Sequence, residues 1–410
     1  MKGFFHKSQM LAMGKKPATS VARCELCKLY KNCNSPKMPP TGRGYNKVLV
    51  LAEAPGAQED EENRQLVGKS GQFLRERLDE IGIDLDDCML TNAVICRPEN
   101  NRTPEESELE NCRPFLVKTI EEYQPHVVIT LGATALQQLL RPYWTESFGK
   151  FQRWTGWQIP LQPLNTWVVP TWHPSFLMRE KRGASKDAYA VLELCFKQHL
   201  LTAFGLQGRP WKKVPDYKAM VEQVDDATNI IRSMLDHEGM ACFDYESNTL
   251  KPDNNEAVPV SASITWGKSK PERCIAFPLT DANMKAMRTF LRSPVPKIAA
   301  NAKFEERWSM RHWKTRVRNW VWDTMTTAHA LDNRDTITGL DFQSFVLLGQ
   351  PTYSGHIKPV LKAKKGVTVN QILLEISLPQ LLLYNGLDTI TEYEVAVRQM
   401  KQLQYKPPWK

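Results

Sequence analysis

Between Lys47 and Leu201 the apolar positions fall into short, largely apolar runs separated by longer stretches with helical spacing. Val48-Leu49-Val50-Leu51, Met89 to Ile95 and Val127 to Leu131 are the clearest runs. A strand that reads as continuously apolar is buried on both faces, as in a parallel sheet covered by crossover helices. Ser70-Gly-Gln-Phe-Leu, Thr103-Pro-Glu-Glu and Gly132-Ala-Thr supply helix openings. The pattern predicts a three-layer α/β domain with a parallel sheet over residues 1–204. A Gly-, Pro- and Lys-rich stretch from Gly205 to Pro215 then breaks it, which predicts a linker at 205–215. Strand patterns near Met240–Tyr245, Val258–Trp266 and Cys274–Phe277 follow close together, and mostly helical sequence comes after them. That order predicts a small mixed sheet flanked by helices over 216–410.

Composition agrees with two ordinary cores. The 410 residues fit two domains of about 200 each, and 42% apolar with 24% charged residues excludes general disorder. The net charge of +9 is concentrated at the front, where residues 1–50 carry ten Lys or Arg against the single acid Glu25. A basic excess favours a polyanionic partner, held through its phosphates. Met1 to Met13 lacks the apolar core of a secretory signal, and no run is long enough to span a membrane. The expectation is a soluble protein of a bacterial or phage-infected cytoplasm, with no membrane partner; its oligomeric state is left open.

In a reducing compartment the nine cysteines are expected as metal ligands or buried thiols. Cys24 and Cys27 form a CxxC, Cys96 lies in Ile95-Cys-Arg-Pro and Cys112 in Asn111-Cys-Arg-Pro. Four thiolates suit zinc or an iron-sulfur cluster, with Cys33 as an alternative fourth ligand. Cys88, Cys195, Cys242 and Cys274 read as small buried apolar residues.

The motifs around these cysteines are Glu53-Ala-Pro-Gly, Val67-Gly-Lys-Ser-Gly-Gln, Thr91-Asn-Ala-Val-Ile-Cys-Arg-Pro, Asn101-Arg-Thr-Pro, Leu131-Gly-Ala-Thr-Ala and Trp172-His-Pro-Ser. Together, from Cys24 to about Leu200, they resemble the family 4 uracil-DNA glycosylases. The resemblance implies a 4Fe-4S cluster on Cys24, Cys27, Cys96 and Cys112. It also implies Glu53 to orient or activate water, Asn92 to read the flipped base, and His173 to donate to uracil O2. Leu66 stands where the family pattern has an aromatic that stacks on the base, and Ala52 where it has Gly. The Phe176-Leu-Met-Arg-Glu-Lys-Arg segment offers apolar residues to wedge into a duplex and Arg179, Lys181 and Arg182 for its phosphates, a merely solvated loop being the alternative.

In the second half Asp244 and Glu246 share one strand face, because side chains alternate. Asn301-Ala-Lys-Phe-Glu305 follows an apolar strand, Asp323-Thr comes next, and Tyr384 and Asp388 stand one helical turn apart. This ordered set resembles the DEDDy 3′-to-5′ exonucleases, as in the proofreading domain of DNA polymerase I. It implies an RNase H-like fold and two Mg2+ or Mn2+ ions on Asp244, Glu246, Glu305 and Asp388. Tyr384 would position water, and Asn301 would face DNA. Arg307, Trp308, Arg311, Trp313, Arg316, Arg318, Trp320 and Trp322 interleave cations and aromatics, which suits either a core or a DNA groove.

The leading expectation is a DNA repair or replication-editing enzyme that removes uracil and trims 3′ ends, without an attached polymerase, as would suit a phage. A second reading keeps the exonuclease and makes the first domain a DNA-binding or uracil-sensing platform. A third makes the chain a non-catalytic subunit of a separate DNA polymerase, which is the candidate protein partner.

Overall fold

The computed structural model describes residues 23–407 other than 212, 356 and 358–374. The chain divides into two compact units, with the division between Lys213 and Val214.

In the first unit the strands are β1 (Val48–Ala52), β2 (Met89–Asn92), β3 (Val127–Leu131), β4 (Ile159–Leu161) and β5 (Thr166–Thr171). The helices are α1 (Cys24–Cys27), α2 (Ala57–Glu62), α3 (Lys69–Asp79), α4 (Glu106–Tyr123), α5 (Ala133–Leu140), α6 (Pro174–Gly183) and α7 (Lys186–Gly205). The sheet order is β2-β1-β3-β5-β4, parallel except for β4. Every residue of β1 and β3 is buried, as the unbroken apolar runs predicted. Leu74, Leu78, Phe196 and Leu200 cover the sheet with Val48, Val50 and Ile129 in one core. The expected loop after His173 is instead helix α6, with Pro174 at its first position, where a missing N–H costs nothing.

The segment expected as a linker folds back on this unit. Gly208 N donates to His126 Nδ1 at 3.1 Å, and Trp211 meets Trp167 edge-on at 5.7 Å.

In the second unit the strands are β6 (Val221–Gln223), β7 (Met240–Ser247), β8 (Pro259–Gly267), β9 (Arg273–Pro278), β10 (Lys297–Ala299) and β11 (Trp320–Asp323). The helices are α8 (Thr228–Met234), α9 (Asp281–Arg292), α10 (Ala302–His312), α11 (Thr324–Leu331), α12 (Leu340–Leu348) and α13 (Leu378–Gln402). The order is β11-β10-β7-β8-β9-β6. Strands β7, β8 and β9 form an antiparallel meander, and β10 and β11 continue it in parallel from β7. This mixed sheet is the RNase H-like arrangement. Phe243, Phe277, Phe290, Trp308 and Trp313 fill the core on one face. Trp320 stacks on Phe243 at 5.4 Å, and Trp322 Nε1 donates to Gln399. The tryptophans of the Arg/Trp run are therefore engaged in packing, Trp308 and Trp313 buried and Trp320 and Trp322 half-buried, while Arg307, Arg311, Arg316 and Arg318 are exposed.

Helix α13 lies on the other face because its sequence permits a close approach. A Cβ on Gly386 would meet Val221 Cγ1 at 2.5 Å. Thr265 and Thr389 hydroxyls bond at 2.9 Å, and Ser263 Oγ donates to the Asn385 carbonyl at 2.8 Å. Buried hydroxyls that find partners in this way fix register at little net cost.

Candidate active sites

The carboxyl ends of β1, β2, β3 and β5 form one edge of the first sheet, where a doubly wound fold gathers functional groups. Glu53 follows β1, and Thr134 Oγ1 at the start of α5 donates to its Oε2 at 2.6 Å. Gly132 has φ +88, and a Cβ there would meet the His173 Cβ at 3.3 Å, so the turn after β3 needs glycine to lie against His173. His173 caps α6, its Nδ1 accepting from Ser175 N at 3.2 Å. A backbone N–H can only donate, so the neutral ring carries its proton on Nε2. Burial, with Arg179 nearby, pushes the His173 pKa down to about 4, which keeps the ring neutral.

Asn92 ends β2 in register with Ala52 and is buried. Its Nδ2 donates to Gln65 Oε1, and Gln65 Nε2 donates to the Pro39 carbonyl at 3.2 Å. Leu66 adopts φ 51 and its side chain joins the apolar core. A left-handed backbone costs such a residue about 1 kcal/mol. The loop holds that turn because Gly71 leaves room: a Cβ there would lie 1.9 Å from the Leu66 carbonyl oxygen. Glu59 ties two loops of the edge together, accepting from Gly56 N at 3.1 Å and Gly68 N at 2.7 Å. In α6 Arg179, Lys181 and Arg182 are exposed, and Leu177 is buried.

Cys24, Cys27, Cys96 and Cys112 line one cavity with Leu29, Tyr30 and Ile95. Cys33 lies outside that lining, its Sγ 3.8 Å from the Tyr30 carbonyl. Burial pushes the Cys96 and Cys112 thiols up to about 12 and raises Cys27. Lys37 N donates to Cys96 Sγ at 3.2 Å, and backbone N–H groups of Ile95 and Leu29 reach Cys112 and Cys27. Buried sulfurs supplied with N–H donors fit thiolates bound to a soft cationic centre, so the donor set suits an iron-sulfur cluster.

In the second unit Asp244, Glu246 and Asp388 bring one carboxylate oxygen each within 4.8 Å of one another. Strand β7 supplies the first two on one face, and α13 brings the third over them. Asn385 Nδ2 donates to Asp244 Oδ2 at 2.9 Å, while the Tyr353 and Tyr384 hydroxyls both reach Asp388. Burial pushes Asp244 up to about 7. It also raises Glu246 well above the carboxylate range, helped by the charges of Asp244 and Asp388. Clustered desolvated acids of this kind ionise once cations neutralise them, so the set fits divalent metals.

Glu305 belongs to α10 and stands outside that triplet. It is 2% exposed, its Oε2 has no partner among the described residues, and burial with the charges of Asp244 and Glu392 raises its pKa. Asp323 accepts from Ala302 N at 2.9 Å and Asn301 N at 3.3 Å, holding the start of α10. Asn301 takes φ 67 at that start.

A model of the uracil DNA glycosylase superfamily matches residues 39–193. The type-4 uracil-DNA glycosylase of Saccharolobus solfataricus is 37% identical over 162 residues, covering 38% of this chain and 74% of that protein. The chain belongs to the type-4 uracil-DNA glycosylase family. The Thermotoga maritima type-4 enzyme is 35% identical over 164 residues, 39% of this chain and 81% of its own length. A DNA polymerase of Bacillus phage SP01 is 24% identical over 331 residues, spanning 72% of this chain and 34% of the polymerase. Among solved structures, Escherichia coli RNase D covers 45% of each chain at 10% identity with a TM-score of 0.34. Brucella melitensis NrnC with bound Mg2+ covers 45% of this chain and 82% of its own at 15% identity and TM-score 0.31.

Sequence reasoning missed several residues around the glycosylase and acid sites. Gln65 and Glu59 sit in irregular loops with no periodic signal. Tyr353 and Asn385 show themselves through contacts alone. Glu392 had a usable signal: it follows Asp388 by four residues on a helix, one turn on. It is buried, the Cys242 thiol donates to it, and Thr324 Oγ1 lies at 3.4 Å.

Proposed function

We propose that the chain hydrolyses DNA at two sites, excising uracil in its first unit and trimming 3′ ends in its second. Family membership, with Glu53, Asn92 and His173 at the carboxyl ends of β1, β2 and β5 along one sheet edge, supports the first activity. The carboxylate triplet Asp244, Glu246 and Asp388, within 4.8 Å, supports the second.

For base excision, Glu53 orients the attacking water while Thr134 holds its other oxygen. Asn92 pairs with the uracil edge. His173 donates its Nε2 proton in a hydrogen bond to uracil O2 as charge develops there, and a neutral donor suits this at neutral pH. Exposed Arg179, Lys181 and Arg182 bind phosphates beside the site. An iron-sulfur cluster on Cys24, Cys27, Cys96 and Cys112 would be structural, tying the front segment to the sheet.

At the second site divalent ions on Asp244, Glu246 and Asp388 would activate water and stabilise the leaving 3′ oxygen. Asn385 orients Asp244, and Tyr353 and Tyr384 hold Asp388, Tyr384 positioning the water beside it. Glu305 faces the same acids from α10, and Asn301 lies at the strand to helix turn where a DNA end would pass.

The buried Leu66 favours a second reading of the first unit. An aliphatic side chain held in the core offers a flipped base little stacking, which suits a platform that binds DNA or senses uracil. The test uses alkali-labile site formation on uracil-containing single-stranded DNA by the wild type and His173→Ala. Base loss that disappears in His173→Ala supports excision; intact bases with retained DNA binding support the platform.

A further inference from the structure

Gln65 sits between a backbone carbonyl and the residue assigned to reading the base, and both amides are closed off from solvent. Gln65 is 0% and Asn92 is 2% exposed. The Pro39 carbonyl can only accept, so Gln65 must turn its NH2 toward it, at 3.2 Å. That turn leaves Oε1 facing Asn92, and Oε1 can only accept. Asn92 therefore presents Nδ2 to Gln65, as the pairing shows. Its Oδ1 then lies on the opposite side of the planar amide. The orientation of both amides follows from one fixed acceptor through a chain of bonds.

This matters because uracil and cytosine differ at the edge an amide reads. Uracil offers the O4 acceptor and N3–H donor; cytosine offers the N4 donor and N3 acceptor. Asn92 has a second N–H for O4 and Oδ1 for N3–H. Meeting cytosine would require the amide to flip, which would press Oδ1 against Gln65 Oε1 and leave both acceptors buried without a donor. We propose that Gln65 is a specificity-determining positioning residue: the Pro39–Gln65–Asn92 relay locks the Asn92 amide in the orientation that accepts uracil and rejects cytosine. The inference rests on Asn92 reading the base.

The experiment measures Kd of the full-length protein for 3′-blocked single-stranded oligonucleotides carrying one 2′-fluoro-2′-deoxyuridine or one 2′-fluoro-2′-deoxycytidine, which resist base loss. Wild type is expected to prefer the uracil oligonucleotide by about tenfold, the scale of one buried unpaired polar contact. Gln65→Met, of similar volume without an amide, erases that preference. Gln65→Glu keeps it, because a carboxyl oxygen still accepts from Asn92 Nδ2. Loss of preference in Met and not in Glu separates orientation from simple damage to the fold, which both changes would cause. Asn92→Ala tests the underlying assignment by losing the preference through weaker uracil binding. A wild type without preference, a Gln65→Met protein that keeps it, or equal loss in both Gln65 variants overturns the relay. Should Asn92→Ala alone keep the preference, the base-reading assignment itself fails.

Discussion

The two sites solve opposite electrostatic problems. At the sheet edge of the first unit the Glu53 carboxylate accepts from Thr134, and His173 is held neutral with its pKa pushed down to about 4. Glu53 Oε2, His173 Nδ1 and Asn92 Nδ2 each have a partner within the unit. In the second unit Asp244, Glu246, Glu305 and Glu392 are all pushed up by burial, the last three also by neighbouring acid charges, and Glu305 Oε2 has no partner among the described residues. The first site is assembled by folding alone, whereas the second is left in want of positive charge. A site of the first kind runs without divalent cation; a site of the second kind depends on it.

The sharpest way to break this contrast is Asp244→Ala, which should lower Mg2+-dependent 3′ trimming by about a thousandfold or more, as expected when a shared metal ligand is lost. Base excision should stay unchanged in the same preparation. Next in size, His173→Ala should lower uracil excision by about a hundredfold, the usual cost of one donor to a developing anion, with trimming intact. Removing a phenol is milder: Tyr384→Phe should slow trimming by about tenfold, and a larger effect in Tyr353→Phe would move the water-positioning role to Tyr353.

Stability gives the smallest effects and a sign. Asp244 is raised to about 7 in the folded protein from about 4 unfolded, so the folded state holds its proton longer. That contribution is present below the unfolded value and is lost as pH rises through about 7. Metal-free protein should therefore unfold at a lower denaturant concentration at pH 7.5 than at pH 5, and Mg2+ should remove most of the difference. His173 works in reverse: its pKa is lowered, so its contribution is present above the unfolded value and is lost as pH falls toward about 4.

Much of the framework was legible. Val48–Leu51 and Val127–Leu131 announced buried parallel strands, and Asp244-Tyr-Glu246 announced two acids on one face. Strand β4 contains Pro160 and β5 contains Pro170, breakers that hid both from a pattern reading. The Arg/Trp run was ambiguous by nature, since aromatic residues serve cores and DNA equally; only packing showed that Trp308 and Trp313 are buried. The candidate residues were readable where they lay on regular elements at fixed spacing. Gln65, Tyr353 and Asn385 were not, because their roles depend on partners 27, 35 and 141 residues away. Among the described residues no helix is long and apolar enough to cross a membrane.

The most direct test of the contrast follows one end-labelled single strand with an internal uracil, incubated with wild-type protein across a Mg2+ titration that starts in chelator. Alkali-labile breaks at the uracil should be independent of Mg2+, while shortening from the 3′ end should be absent in chelator and saturate with the ion. Shortening that persists without divalent cation, or base loss that requires it, would contradict the account.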